Sequence, residues 1–237
     1  MKLLLSLVSA VILVASCARA DASVSDTVAA ATGAATGVDA GAPRPYPFWT
    51  GDDEAPAGAA FPIAPGYFLV SIYAMGVAAV DMGADPHVVI RDGNRAYQGE
   101  FVDVSNGDRI GLIRSEFRPP CYRLSASEVG AVIAGIDSAG DKRQAYQPAL
   151  QKADACSSVP VTDEEGTVRF TVFACQTERP FALTGMAYVD GGTGIIALLG
   201  PAGGGATHDG VGAERIRHFL DKYFSSWGRA VRPKPAY

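Results

Sequence analysis

HVVIRDGNRAYQGEFVDVSNGDRIGLIRSEF, residues 87–117, is where the architecture is decided. Two strand-forming runs, HVVI and RAYQGEFVDV, flank Asp92-Gly93-Asn94, and such residues supply the backbone angles of a tight hairpin. Asn106-Gly107-Asp108 makes a second turn, and RIGLIRSEF (109–117) follows it. Upstream, YFLVSIYAM (67–75) is apolar throughout and is bounded by Gly66 and Gly76. Downstream, VGAVIAGID, VRFTVFACQ, MAYVDGG and TGIIALLG continue the pattern, each bounded by Gly, Asp or Pro. Many short strands at regular spacing predict a sandwich or barrel rather than alternating βα units.

One segment departs from that rhythm. In AERIRHFLDKYFSSW, Ala213 to Trp227, the residues Ile216, Phe219, Leu220, Tyr223, Phe224 and Trp227 recur at helical spacing, with Arg, Asp and Lys opposite. Gly228 stands where a left-handed helix stop is expected. The segment reads as a C-terminal helix packed on a β body.

The chain opens MKLLLSLVSAVILVASCARADAS, with one lysine before an apolar run from Leu3 to Val14 and small residues after it. Those are the parts of an export signal. The run is shorter than the roughly 20 residues of a membrane-spanning helix, and no later segment comes close, so the mature chain is expected not to span a bilayer. Val14-Ala15-Ser16-Cys17 resembles the bacterial lipobox, in which cleavage precedes the cysteine and a lipid is attached to its sulfur. Ala18-Arg19-Ala20 fits the A-x-A pattern of ordinary release instead. On the lipobox reading residues 1–17 are the signal through Cys17, and Ala at 18 rather than Asp implies the outer membrane of a bacterial envelope. Residues 18–60, rich in Ala, Gly, Thr, Asp and Pro, then form a disordered tether with a reach of roughly 35 Å. Within it, Pro45 to Trp49 (PYPFW) carries aromatics that need cover. Residues 61–237 suit one domain.

A net charge of −5 with no Lys/Arg cluster argues against nucleic acid. No H-x-x-x-H or C-x-x-C spacing points to a metal, and GPAGGG lacks the Lys and Ser/Thr of a phosphate loop, so no cofactor is expected. Of four cysteines, Cys156 and Cys175 flank a turn and a strand and can close a bridge in an oxidising compartment. Cys121 is then left over as a buried thiol. Of the three histidines, His87 begins a strand after Asp85-Pro86, His208 lies in the glycine-rich loop GPAGGGATHDG, and His218 falls off the helical stripe.

An all-β body with one C-terminal helix resembles the trypsin-like serine proteases, which are two six-stranded β-barrels with a cleft between them. VVIRDGNRAYQGEFVDVSNGDRIGLIRSE resembles the strand over a "DG" hairpin that leads into D-[LI]-A-L-[LI] in periplasmic members. QPALQKADACSSV resembles the strand leading to a cysteine that pairs with one about two strands later in that family, and FTVFAC supplies the partner. GMAYVDGGTGIIALLG resembles the strand pair after the nucleophile. The match runs over roughly residues 66–227.

The resemblance implies three chemical positions, and each departs from the family. Aligning GVAAVDMGADP on T-A-A-H through Ala78-Ala79 puts Val80 where the base belongs. Arg109-Ile110-Gly111-Leu112-Ile113 matches D-[LI]-A-L-[LI], so Arg109 takes the orienting position and Asp108 falls one residue early. One residue along a strand turns a side chain to the opposite face. Ala182-Leu183-Thr184-Gly185-Met186-Ala187 matches G-D-S-G-G-P, which leaves a hydroxyl at Thr184 without most of the loop glycines. A hydroxyl needs a base, and the base an orienting group; Val80 accepts no proton and Arg109 repels an imidazolium. The expectation is a domain that has lost its catalytic residues and binds a peptide or protein partner in the inter-barrel cleft. Two other readings stand beside it: an active peptidase or hydrolase with a non-standard site, and a structural envelope lipoprotein of unrelated β fold.

Overall fold

Six strands build a first barrel: β1 (Tyr46–Thr50), β2 (Gly58–Ala64), β3 (Tyr67–Ser71), β4 (His87–Asp92), β5 (Arg95–Ser105) and β6 (Ile110–Ser115). In the computed structural model, which describes residues 41–50, 55–72, 87–138, 145–162, 164–191, 193–201 and 207–224, they close in the order β1-β2-β3-β6-β5-β4. β4 and β5 turn at Gly93-Asn94, with Asp92 opposite Arg95 and Gly93 at φ 58°, which is the hairpin expected from the Asp-Gly-Asn run.

The two-residue β7 (Arg123–Leu124) leads to a second set: β8 (Val132–Ser138), β9 (Tyr146–Thr162), β10 (Val168–Thr177), β11 (Met186–Asp190), β12 (Gly194–Pro201) and β13 (Thr207–Gly212). These follow the order β11-β8-β9-β10-β13-β12, and β11 also pairs with β12, which completes the ring. β7 lies parallel on β12. The helix α1 (Ala213–Leu220) ends the described chain together with one further turn. None of the described helices is long and apolar enough to cross a membrane. Two six-stranded barrels and a C-terminal helix are the architecture the strand spacing and the resemblance imply.

Side-chain alternation explains which runs are wholly apolar. On β3, Phe68 and Val70 point into the first barrel beside Phe48, Val88, Ile90 and Ile113. Their neighbour Leu69 points the other way, into a cluster with Phe61, Ile110 and Leu112 from the first barrel and Ala134, Ile136, Leu183 and Leu198 from the second. A strand buried on both faces has no polar side to show, so β3 is a continuous apolar run. β4 has one face in water and alternates instead. Ile216, Phe219 and Leu220 of α1, with Phe224 after it, close the inter-barrel cluster. A separate set, including Phe173, Phe181, Met186, Tyr188 and Leu199, fills the second barrel.

Two boundaries differ from the sequence reading. The domain starts before residue 61: Tyr46–Thr50 is a barrel strand, with Phe48 wholly buried and Trp49 nearly so. Burying aromatics of this size releases enough apolar surface from water, about 25 cal/mol per Å², to order a short segment that composition assigns to the tether. Residues 18–40 and 51–54 of that segment, and Cys17 with it, lie outside the described residues. The helix is also shorter than 213–227. It stops at Leu220, where the Asp221 N–H bonds to the Arg217 carbonyl and the Tyr223 and Phe224 N–H groups both turn back to Leu220. Trp227 and Gly228 lie outside the described residues.

Candidate functional site

Thr184 and Gly185 sit where the two barrels meet. The loop that precedes β11 is pinned from both sides: the Leu183 N–H donates to the Ile136 carbonyl at 3.2 Å, and the Ala59 N–H donates to the Thr184 carbonyl at 3.1 Å. Gly185 adopts φ 82°, a left-handed angle that favours glycine. A β-carbon there would lie 3.6 Å from the Ser71 Cβ and 3.5 Å from the Ala59 carbonyl oxygen. The chain thus bends sharply between the end of β3 and the start of β2, and this leaves the Thr184 side chain exposed. Its hydroxyl donates to the Ala57 carbonyl at 3.4 Å.

Arg109 occupies the turn before β6 at φ 59°, the non-glycine residue with a positive φ among those described, and its carbonyl accepts from the Ile72 N–H at 3.1 Å. That bond holds the start of β6 beside the end of β3. The guanidinium side is exposed. Asp108, one residue earlier, is held elsewhere. Ser105 Oγ donates to its Oδ2 at 2.6 Å, and Arg215 of α1 donates Nε to its Oδ1. Arg215 also lies over the Phe170 ring of β10 at 4.7 Å. Val80 lies outside the described residues, several positions beyond Ser71, the β3 residue that borders Gly185.

The histidines are placed apart from Thr184 in the chain's hydrogen bonding. His87 is exposed at the first residue of β4, and His218 is exposed on α1. His208 was expected in a glycine-rich loop; it is instead buried in β13, with Nε2 3.3 Å from Thr177 Oγ1. Burial pushes its imidazole below the usual value, and the nearby Asp209 carboxylate pulls the other way. Cys156 and Cys175 form a disulfide between directly opposed residues of β9 and β10, with 4.1 Å between their Cα atoms. Cys121 is outside that bridge and half-buried rather than buried, its thiol 3.5 Å from the Pro119 carbonyl.

Sequence reasoning missed the contacts that fasten α1 to the first barrel. Besides the Asp108–Arg215 pair, the Tyr223 hydroxyl donates to Asp103 Oδ2, Lys222 Nζ lies 3.6 Å from the same carboxylate, and the Tyr67 and Phe224 rings meet edge-on at 5.1 Å. Burial and the neighbouring Asp103 charge both push the Tyr223 phenol up. Arg215 and Lys222 lie off the apolar stripe, and nothing in a helical wheel marks one of them as a partner for a turn so distant in the chain.

No protein-family profile matches the sequence, and no curated protein matches it. Solved structures do resemble the fold. Deg5 superposes with a TM-score of 0.53 at 11% identity, over 76% of this chain and 90% of that one. The HtrA-type protease AlgW with a decapeptide gives 0.52 at 14% identity, over 77% of this chain and 64% of that one. The active form of the Rv3671c protease from M. tuberculosis gives 0.50 at 14% identity, over 75% and 76%. The fold is therefore that of the trypsin-like serine proteases, a double β-barrel closed by a C-terminal helix. At such identities the likeness concerns the fold and carries no residue's role with it.

Proposed function

We propose that this chain is an exported trypsin-like domain, held in a bacterial envelope by a lipid on Cys17, that binds a peptide or protein segment in the groove between its barrels without cutting it. The observation that carries the reading is the partner of the Thr184 hydroxyl. It donates to a backbone carbonyl, which cannot take a proton, whereas a serine-protease nucleophile gives its proton to an oriented imidazole. The neighbouring charges support the same reading. Arg109 is a cation at the position where the family carries a carboxylate, and the carboxylate of Asp108 is engaged by Ser105 and Arg215. Export, the outer-membrane anchor and the periplasmic site rest on residues 1–20 as read above.

Incubation with a fluorophosphonate and with peptide esters is expected to give neither labelling nor turnover. Labelling that Thr184→Ala abolishes overturns the reading in favour of an active hydrolase. For the anchor, Cys17→Ser is expected to move the protein from the membrane to the soluble fraction, and retention on the membrane refutes the lipid.

A further inference from the structure

The first barrel has one end that carries the β4–β5 turn, and both flanks of the described chain meet there. Arg44 donates from Nη2 to Asp92 Oδ1 at 2.7 Å and from Nε to the Tyr46 hydroxyl at 3.2 Å, which sets the start of β1 against that turn. Tyr97 of β5 stacks on Phe117 at 4.2 Å, and Phe117 meets Tyr46 edge-on at 4.9 Å. The segment after β6, with Arg118 in it, therefore lies at the same end. β2 runs antiparallel to β1 and also finishes there, with Ala64 opposite Tyr67 across the next turn. The Phe224 ring packs on Tyr67 at 5.1 Å, and the described chain ends with it.

Charge at this end is one-sided. Arg91, Arg95 and Arg118 are exposed, and none has a carboxylate partner among the described residues. Arg91 lies over the Trp49 ring at 4.5 Å, a contact that leaves its positive charge uncancelled. The acids of the same segments are Asp92, which Arg44 engages, and exposed Glu116. The sequence after Phe224 adds Arg229, Arg232 and Lys234 with no Asp or Glu. In a chain of net charge −5 this is a local excess of cations.

The Thr184 site is at the opposite end of the barrel. β2 starts there, where the Ala59 N–H bonds to the Thr184 carbonyl, and β3 finishes there, with Ser71 beside Gly185.

We propose that the basic end, through Arg91, Arg95 and Arg118, rests on the anionic phospholipid headgroups of the membrane that holds the anchor. This rests on the lipid reading of Cys17, and the route of the chain selects the occupant. Residues 18–40 connect Cys17 to the segment that Arg44 fixes at this end, so the bilayer is the surface this end meets first. Guanidinium groups present paired N–H donors to phosphate oxygens. Each basic side chain close to an anionic surface raises affinity about fivefold, an effect that salt screens. Docking in this way turns the groove at Thr184 away from the bilayer and towards its partners.

The test is flotation of the chain from Ala18 to Tyr237, which keeps every described residue and carries no lipid, with vesicles of phosphatidylcholine alone or with one third phosphatidylglycerol. Binding is expected with the anionic vesicles only, and is expected to be lost in high salt. Arg95→Glu/Arg118→Glu is expected to weaken it at least tenfold. Lys152→Glu, on β9 of the second barrel, is expected to change it less than about twofold. Circular dichroism on each variant confirms the fold. No binding to the anionic vesicles, equal binding to the neutral ones, a double variant that binds like wild type, or a loss as large in Lys152→Glu overturns the inference. None of these outcomes bears on the anchor itself, which the fractionation of Cys17→Ser reads separately.

Discussion

Breaking the Cys156–Cys175 bridge by the double substitution Cys156→Ala/Cys175→Ala isolates the cross-link from other effects. Serine would place a hydroxyl beside the apolar interior of the second barrel, where Cys175 is wholly buried, and an unsatisfied hydroxyl costs about 1–3 kcal/mol of its own. Alanine adds no polar group. The bridge spans a sequence separation of 19, and loop-closure entropy for a loop of that length amounts to about 3 kcal/mol at 25 °C. In a domain of this size each kcal/mol moves Tm by roughly 2–4 °C, so the expected fall is about 6–12 °C. In calorimetry, protein reduced with its thiols counted by alkylation and the double variant should agree with each other and melt about 6–12 °C below the oxidised protein. Reduced protein and variant matching oxidised protein within about 1 °C, with the thiol count complete, refutes the reasoning: the hairpin would then stay closed in the unfolded chain without its bridge.

Two further outcomes follow from the contacts around α1 and β13. Arg215→Ala leaves the Asp108 carboxylate, whose side chain is 13% exposed, without its charged partner and uncovers the Phe170 ring; a loss of about 1–3 kcal/mol is expected in urea unfolding, and a change below 0.5 kcal/mol would deny the clasp its role. His208 has its imidazole pKa lowered by burial, so the unfolded chain binds a proton before the folded one does. Stability should therefore fall with pH below about 6.5, the unfolded value. His208→Gln is expected to flatten that part of the Tm–pH curve relative to wild type, and superimposable curves would count against it.

The strands were readable where a turn residue has one job. Gly93 takes φ 58° in a two-residue turn, and the Asp-Gly-Asn run announces it. Glycine misled where its job is different. The run GPAGGGATHDG reads as one loop, yet Gly210 belongs to β13 because a β-carbon there would lie 2.1 Å from the Leu198 carbonyl oxygen. Gly212 is likewise set against the Phe173 ring, at 2.9 Å. These glycines admit a neighbouring strand at close approach, and single-sequence reading cannot separate that use from flexibility; His208 was misplaced with them. The tether boundary failed for a related reason. Composition averages over Pro, Gly and Ala, while β1 is fixed by three aromatics that find a barrel to enter. At the site, Thr184 was singled out through the resemblance alone, and the left-handed bend at Gly185 is seen in the structure. The partners of Asp108 were not readable, since Arg215 reaches it across 107 positions of chain.

That clasp has a consequence for synthesis. The last described helix fastens the first barrel through Asp103, Asp108 and Tyr67, so a growing chain carries an uncovered apolar flank on its N-terminal half until Phe224 has emerged. A truncation upstream of α1 would therefore injure the half of the molecule made earliest, and the two barrels should melt as a single cooperative unit rather than one after the other.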